Sequence, residues 1–145
     1  MSTKGAPSVE SPNQAAAHPD RQRQTILVVD DDFDTREMLK WMLRTEGYLA
    51  ITAENGAIAL RALEEIKPDL IVTDLMMPLV SGEQFIRALK GRPELAELPI
   101  LVLTAFSGIF GSQAVAAGAT EVFEKPKDLA RLVRTINRLL GQAGP

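Results

Sequence analysis

Five short apolar segments alternate with five longer amphipathic segments along the sequence from Thr25 onward. The short segments have the length and apolar content of buried strands, and the longer segments have the 3.6-residue periodicity of helices. Such alternation predicts the α/β class: a doubly wound, five-stranded parallel sheet with helices on both faces. The predicted strands are Ile26–Val29, Tyr48–Ala53, Leu70–Asp74, Ile100–Leu103 and Thr120–Glu124.

The predicted helices carry their own start, stop and packing signals. The first extends from Phe33 to Glu46 and ends before Gly47, a residue that favours helix termination. Asn55 can cap a second helix that continues through Ile66, and Ser81 can cap a third. The last helix has the clearest apolar stripe, which consists of Leu129, Leu132, Val133, Ile136, Leu139 and Leu140.

The start of the chain differs in composition from the rest. It is rich in proline, alanine and small polar residues, and Val9 is its only large aliphatic residue after Met1. Such a segment cannot offset its ordering entropy by burial, so we predict a disordered tail at 1–24, one folded domain at 25–141 and a short tail at 142–145. No segment resembles a secretory signal or reaches membrane-spanning length, so we expect a cytoplasmic protein without membrane contacts.

Composition removes several kinds of chemistry from consideration. The chain contains no cysteine, which excludes disulfides, thiolate metal sites and cysteine nucleophiles. Its only histidine, His18, lies in the predicted tail, which argues against histidine-based triads and multi-histidine zinc sites. The formal net charge of -3 gives no reason to expect direct binding of nucleic acid.

Polar residues stand at the ends of four of the predicted strands. They are Asp30, Asp31 and Asp32 after the first strand, Asp74 at the end of the third, Thr104 at the end of the fourth, and Lys125 after the fifth. In doubly wound sheets, ligands bind at the carboxyl ends of the strands, so we expect these residues to converge on one edge. Asp74 considered alone is explained equally well as a cap of the following turn.

The chemistry of this set favours a cation and an oxyanion. Clustered carboxylates repel one another strongly where they are poorly solvated, unless a cation neutralises them. An all-oxygen cluster suits Mg²⁺, with Mn²⁺ as an alternative. Thr104 adds a hydroxyl group and Lys125 a positive charge, so the site can receive a tetrahedral oxyanion between metal and lysine. These components are typical of phosphoryl transfer.

Four motifs in this order resemble those of response regulator receiver domains of two-component signalling. The motifs are Val28-Val29-Asp30-Asp31, Thr73-Asp74-Leu75-Met76-Met77-Pro78, Leu103-Thr104-Ala105 and Glu124-Lys125-Pro126. The resemblance covers Thr25 to Leu140 and is greatest to single-domain, chemotaxis-regulator-like members. It implies a flavodoxin-like strand order of 2-1-3-4-5.

The resemblance also implies a role for each matched residue. Asp74 would be the phosphoacceptor, Asp31 a direct metal ligand, Asp30 an acidic neighbour that helps to hold the metal, and Met76 the donor of a backbone carbonyl to it. Thr104 would contact the phosphoryl group, and Lys125 would pair with it and precede a cis bond to Pro126. Asp32 falls one position past the acidic pair and is interpreted as a residue of the helix start.

A receiver of this kind is a signalling domain and not an enzyme with turnover. The resemblance implies that it takes a phosphoryl group from a sensor histidine kinase or a histidine phosphotransfer protein and loses it slowly by its own catalysis. A downstream protein would bind the face formed by the fourth helix, the fifth strand and the last helix. The residues expected to take part in switching and output are Phe106, Phe110, Val122 and Phe123.

The segment between Thr104 and Gly118 departs from the family pattern. Val122 stands where receivers often carry a tyrosine or phenylalanine that changes rotamer, so we expect Phe106 or Phe110 to report the switch instead. Gly108 and Gly111 lie at the expected start of the fourth helix, and glycine disfavours a helix interior by about 1 kcal/mol. We therefore expect this helix to be short or mobile.

Three other functions remain as alternatives. A phosphohydrolase of the haloacid dehalogenase type would need a second aspartate two residues after Asp74, where this chain has Met76. The chain would otherwise be the receiver of a larger DNA-binding regulator, or an interaction module that works without phosphorylation. The complete set of strand-end residues argues against the last of these.

Overall fold

The structure, a computed structural model, describes residues 23–141 as one parallel sheet covered by helices on both faces. The sheet has the order β2-β1-β3-β4-β5, so the predicted fold class and strand order are confirmed. Its strands are β1 (Thr25–Val29), β2 (Leu49–Ala53), β3 (Leu70–Thr73), β4 (Ile100–Thr104) and β5 (Glu121–Glu124). The predicted tails lie outside the described residues, apart from Arg23 and Gln24.

Five α-helices and one 3₁₀ turn connect and follow the strands in the described region. They are α1 (Phe33–Thr45), α2 (Gly56–Ala62), α3 (Gly82–Lys90), the 3₁₀ turn Pro93–Leu95, α4 (Gly108–Ala117) and α5 (Leu129–Leu139). Asn55 and Ser81 cap α2 and α3 as predicted: Asn55 Oδ1 accepts from the amide of Ile58, and Ser81 Oγ from that of Gln84. No helix in this part of the chain combines the length and the apolar character needed to cross a bilayer.

The second helix is shorter than predicted. It ends at Ala62, and the chain up to Ile66 forms hydrogen-bonded turns, in which the amide of Glu64 donates to the carbonyl of Arg61. A proline disfavours helical backbone at the residue before it, so Pro68 restricts Lys67 and prevents the turns from continuing as a helix. The prediction of a helix through Ile66 was therefore wrong.

The fourth helix is not short, so that part of the prediction was wrong, while its mobility stays a prediction. It has ten residues, none of them charged. Gly108 forms its first residue with a φ of 39°, a left-handed value that glycine adopts without strain. Gly111 faces the sheet, where a Cβ atom would lie 3.3 Å from Val122 Cγ1. The glycines thus allow the helix to begin and to approach β5 closely.

Apolar packing covers both faces of the sheet. Successive side chains of a strand point to opposite faces. Ile26 and Val28 accordingly pack with α1 and α5, whereas Leu27 and Val29 pack with α2, α3 and α4. Because both faces are buried, the central strands are continuously apolar, which made them recognisable in the sequence.

The register of the sheet brings several strand ends to one edge. Val29 at the end of β1 lies opposite both Ala53 of β2 and Thr73 of β3. Thr104 at the end of β4 lies opposite Glu124 of β5. Asp30, Asp74, Thr104 and Lys125 lie at or directly after these ends.

Candidate functional site

Three carboxylates meet at this edge of the sheet. Asp30, Asp31 and Asp74 each offer an oxygen atom, and these atoms lie within 4.8 Å of one another. Asp30 and Asp74 are only 2% and 7% exposed, whereas Asp31 is exposed to solvent. The cluster therefore has two carboxylates at its base and one at its open side.

Lys125 joins the two buried carboxylates. Its Nζ atom lies 2.8 Å from Asp30 Oδ2 and 3.1 Å from Asp74 Oδ2, and its side chain is largely buried. The backbone amide of Lys125 donates to the carbonyl of Thr104, which fixes the start of the β5–α5 loop, and its peptide bond to Pro126 is cis. One ammonium group thus faces three carboxylates, which leaves two negative charges unbalanced when all three are ionised.

Burial and ion pairing shift the proton affinities at the base of the cluster. Burial raises the pKa of Asp30, and the hydrogen bond from Lys125 opposes this shift only in part. Burial alone would lower the pKa of Lys125, but its hydrogen bond to Asp30 and the charge of Asp74 outweigh burial, so that pKa lies above its usual value. Lys125 therefore remains an ammonium group throughout the physiological range.

The carboxylate of Asp74 is oriented by its own loop. The amide of Leu75 donates to Asp74 Oδ1 at 2.6 Å, and that of Met76 lies 3.4 Å from the same oxygen. Gly82 packs against this loop so closely that a Cβ atom would lie 2.4 Å from the carbonyl oxygen of Asp74. Sequence analysis did not identify this requirement, although a glycine at the start of a predicted helix was a visible signal.

Asp30 is held through all of its polar groups. Its amide donates to the carbonyl of Ala53, and its Oδ1 accepts from the amide of Asp32. Arg36 Nη1 donates to the backbone carbonyl of Asp30 at 2.8 Å, a contact that sequence analysis missed. Asp32 itself caps α1, because its Oδ2 accepts from the amide and hydroxyl of Thr35, and these hydrogen bonds lower its pKa.

Thr104 ends β4 at the same edge and is fully buried. Its hydroxyl oxygen accepts from the amide of Phe106 at 3.3 Å, so the threonine is linked to the loop that leads into α4. The side chains of Phe106 and Phe110 are exposed. A movement of the Thr104 hydroxyl would therefore act directly on the backbone of Phe106.

A shallow groove of about 460 Å³ lies beside the contact between α4 and β5. It is lined by Ser107, Gly108, Gly111, Ser112, Val115 and Val122. Phe123 is fully buried on the other face of the sheet, with Arg131 over its ring at 4.4 Å from the centroid, and does not line this groove. Of the residues predicted for switching and output, Val122 alone lines the groove.

The arrangement fits a hard divalent cation beside an oxyanion. The donors are carboxylate oxygens, which Mg²⁺ prefers, and the two unbalanced negative charges match its charge. Lys125 supplies a positive group beside Asp30 and Asp74, which can pair with an oxyanion. The sequence-predicted residues Asp30, Asp31, Asp74 and Lys125 are thus brought together, and Thr104 stands at the next strand end.

Comparison with known proteins gives a single family. The model of the response regulator receiver domain matches residues 26–137. The polar-differentiation response regulator DivK of Brucella anthropi is 31% identical over 121 residues, which are 83% of this chain and 98% of DivK. The transcriptional regulatory protein PrrA of Mycobacterium tuberculosis is 39% identical over 120 residues, 82% of this chain but only 51% of PrrA. The chain therefore spans about half the length of PrrA.

A solved structure is similar at the level of the whole domain. The response regulator protein TrrA of Thermotoga maritima, in complex with Mg²⁺ and BeF, superposes with a TM-score of 0.72 at 34% identity. The match covers 80% of this chain and 98% of TrrA.

Proposed function

Since the chain belongs to the response regulator receiver family of two-component signalling, we propose that Asp74 accepts a phosphoryl group from a phosphohistidine and thereby changes how the domain binds a protein partner. The observation that carries this proposal is the bridge from Lys125 to both Asp30 and Asp74, with Asp31 at the open side. A carboxylate is a competent nucleophile toward phosphorus when neighbouring positive charge neutralises the oxygens of the phosphoryl group.

The reaction exchanges one bond to phosphorus for another. A carboxylate oxygen of Asp74 attacks the phosphorus atom of a phosphoimidazole, and a P–O bond forms as the P–N bond breaks. The electron pair of the P–N bond remains on the ring nitrogen, and the imidazole leaves neutral because its other nitrogen carries a proton. Asp74 becomes an acyl phosphate.

Asp30, Asp31, Asp74 and the backbone carbonyl of Met76 would hold Mg²⁺, and Mn²⁺ could take its place. When bound, the cation would neutralise the charge on the phosphoryl oxygens. TrrA, the relative solved with Mg²⁺ and BeF, supports this assignment. Lys125 would pair with a phosphoryl oxygen on the inner side, and the Thr104 hydroxyl would turn from the amide of Phe106 to donate to another.

The phosphodonor would be a sensor histidine kinase or a histidine phosphotransfer protein in the cytoplasm, and the downstream target a protein that binds α4, β5 and α5. DivK, matched over nearly its whole length, supports a domain that works alone. PrrA, matched over half its length, supports the second candidate, in which the same domain is the receiver of a longer regulator. In both cases the domain itself would contact proteins and not nucleic acid.

Labelling locates the phosphoryl group directly. We expect incubation with acetyl phosphate and Mg²⁺ to give one phosphoryl group per chain, which hydroxylamine removes because it is an acyl phosphate. Borohydride reduction followed by mass spectrometry of peptides should place it at Asp74. Modification at any other residue would contradict the proposal.

The lifetime of the acyl phosphate should be long. Met76 and Phe106 each follow a reactive residue by two positions, and both side chains are exposed and apolar, so neither can orient a hydrolytic water molecule by hydrogen bonding. We expect the double variant Met76→Asn and Phe106→Glu to lose phosphate at least about tenfold faster than wild type. Ile109→Gln, which adds a polar group at the start of α4, serves as the control. Unchanged decay in the double variant would show that other residues limit the access of water.

The segment that responds to phosphorylation should be the start of α4. Thr104 contacts the backbone of Phe106, and Ser107 at the helix start makes no side-chain capping hydrogen bond, so little holds this end in place. We expect hydrogen exchange with beryllofluoride and Mg²⁺ to change most between Phe106 and Ala117. An Asp74→Asn protein treated in the same way should show no change. A response centred instead on Met38 to Thr45 of α1 would move the output face to the other side of the sheet.

A further inference from the structure

Leu79 projects into solvent from the loop between β3 and α3. Its side chain is 82% exposed, the highest value of any large apolar side chain in the described part of the chain. Exposure of this degree removes any contribution of the side chain to core packing. The residue lies five positions after Asp74, on the loop that carries the reactive carboxylate.

The backbone of Leu79 adopts a conformation that leucine disfavours. Its φ is 71°, and among the described residues it is the only one other than glycine with a positive φ. The amide of Val80 donates to the carbonyl of Pro78 at 2.8 Å, which closes a three-residue γ-turn around Leu79. Glycine or asparagine would adopt this conformation at lower cost, so the loop geometry alone does not explain a leucine here.

Close packing of the residues that follow Leu79 holds the backbone of the turn in place. Val80 lies against Gly56 so closely that a Cβ atom there would be 3.0 Å from Val80 Cγ1. The amide of Gly82 donates to the carbonyl of Leu75, and Gly82 itself lies against that loop. The turn therefore holds the backbone of Leu79 and the direction of its Cα–Cβ bond, which lowers the backbone entropy lost when a partner covers the residue.

The surroundings of Leu79 indicate what such a partner carries. Asp74 is 7% exposed, so a protein that brings a phosphorus atom to it must cover the loops at this edge of the sheet. Those loops and helix starts also expose Phe33, Met76, Phe106 and Ile109, all of them apolar. A small phosphodonor can reach Asp74 without covering them. These exposed apolar side chains around Asp74 thus favour a donor protein whose phosphohistidine is itself surrounded by apolar side chains.

We propose that Leu79 is a specificity-determining contact that anchors the protein phosphodonor and plays no part in the transfer itself. The inference rests on the proposed function of Asp74, because the donor is defined by that reaction. The side chain of Leu79 is apolar and 82% exposed, so it offers no group that could act on the phosphorus atom. Its removal should therefore affect docking of a protein donor and leave a small donor unaffected.

Two substitutions separate docking from chemistry. Leu79→Gly removes the side chain and suits the left-handed backbone. Leu79→Asn replaces the apolar side chain with a polar one that also tolerates this backbone conformation. Leu49→Thr is the matched control, because Leu49 is also exposed but lies at the start of β2, on the opposite edge of the sheet. Each full-length protein is labelled by acetyl phosphate with Mg²⁺, and separately by the phosphorylated histidine kinase that labels wild type fastest in a purified panel.

We expect both Leu79 variants to accept phosphate from acetyl phosphate within about twofold of the wild-type rate. Transfer from the kinase should fall at least about tenfold in kcat/KM, mainly through KM, because truncation of a central apolar anchor commonly costs this much. The melting temperature of Leu79→Gly should rise by about 4 °C as the strain is relieved. Leu49→Thr should behave as wild type with both donors.

The other outcomes overturn the inference in distinguishable ways. An equal loss of transfer rate with both donors would show that Leu79 acts on the Asp74 site itself. A wild-type rate of transfer from the kinase to the Leu79 variants would show that Leu79 is no anchor. A lower melting temperature for Leu79→Gly would show that the side chain stabilises the folded loop. A wild-type domain that neither donor labels would overturn the phosphoacceptor assignment on which the inference rests.

Discussion

Replacing Asp74 with asparagine should abolish phosphoryl labelling, with a loss of at least about 10³-fold in rate. The amide keeps the size of the carboxylate, and its oxygen can still accept from the amide of Leu75. What it lacks is the negative oxygen that attacks phosphorus. Quantification of the hydroxylamine-labile phosphoryl group after incubation with acetyl phosphate and Mg²⁺ measures the effect.

The matched control for this substitution is Asp34→Asn. Asp34 lies exposed in the first turn of α1, so its replacement by asparagine removes the same charge at a position away from the cluster. It should accept label at the wild-type rate. Retention of label by the Asp74→Asn protein would show that another side chain is the nucleophile, and the assignment would then fail.

Removal of the divalent cation should have the next largest effect. We expect chelation to slow labelling at least about a hundredfold, since a bound cation supplies several kcal/mol of charge stabilisation in phosphoryl transfer. Asp31→Asn should approach the same loss at millimolar Mg²⁺, because Asp31 lies at the open side of the cluster, where it would ligate the cation. Rates measured over a series of Mg²⁺ concentrations give both the apparent affinity and the limiting rate.

Asp32 offers a close comparison for Asp31. The two residues are adjacent and carry the same charge, but Asp32 caps α1, and asparagine is an equally good capping residue. Asp32→Asn should therefore stay within a few-fold of the wild-type rate. A similar loss in both variants would show that general negative charge attracts the cation, and that Asp31 does not ligate it.

The strand ends were predictable because two simple patterns determine them. Central parallel strands are largely apolar, so Asp74 was visible as the first charged group after one apolar run and Thr104 as the first polar group after another. Parallel topology then required these ends to meet at one edge. The same argument cannot say that Lys125 bridges two carboxylates, because this depends on the path of a flexible side chain.

Other features escaped sequence analysis for identifiable physical reasons. The hydrogen bond from Arg36 to the carbonyl of Asp30 joins a helix side chain to a backbone group, and the spacing of apolar residues in the sequence does not indicate such a contact. The positive φ of Leu79 contradicts the local preference of leucine, and the close packing of Val80 and Gly82 that accompanies it joins residues distant in sequence. The end of α2 was also missed, because the apolar spacing continues through Leu63 and Ile66 although the helix ends at Ala62.

The absence of charge on α4 has a consequence for any complex that forms there. None of its ten residues is ionised, whereas Arg131 of α5 pairs with Glu121 and Asp128 near the surface. Salt screens contacts between exposed charges but leaves apolar association intact or strengthens it. A complex built on α4 should therefore survive at high ionic strength, while one built on the Arg131 cluster should dissociate, so a salt titration of the isolated complex identifies which surface the partner uses.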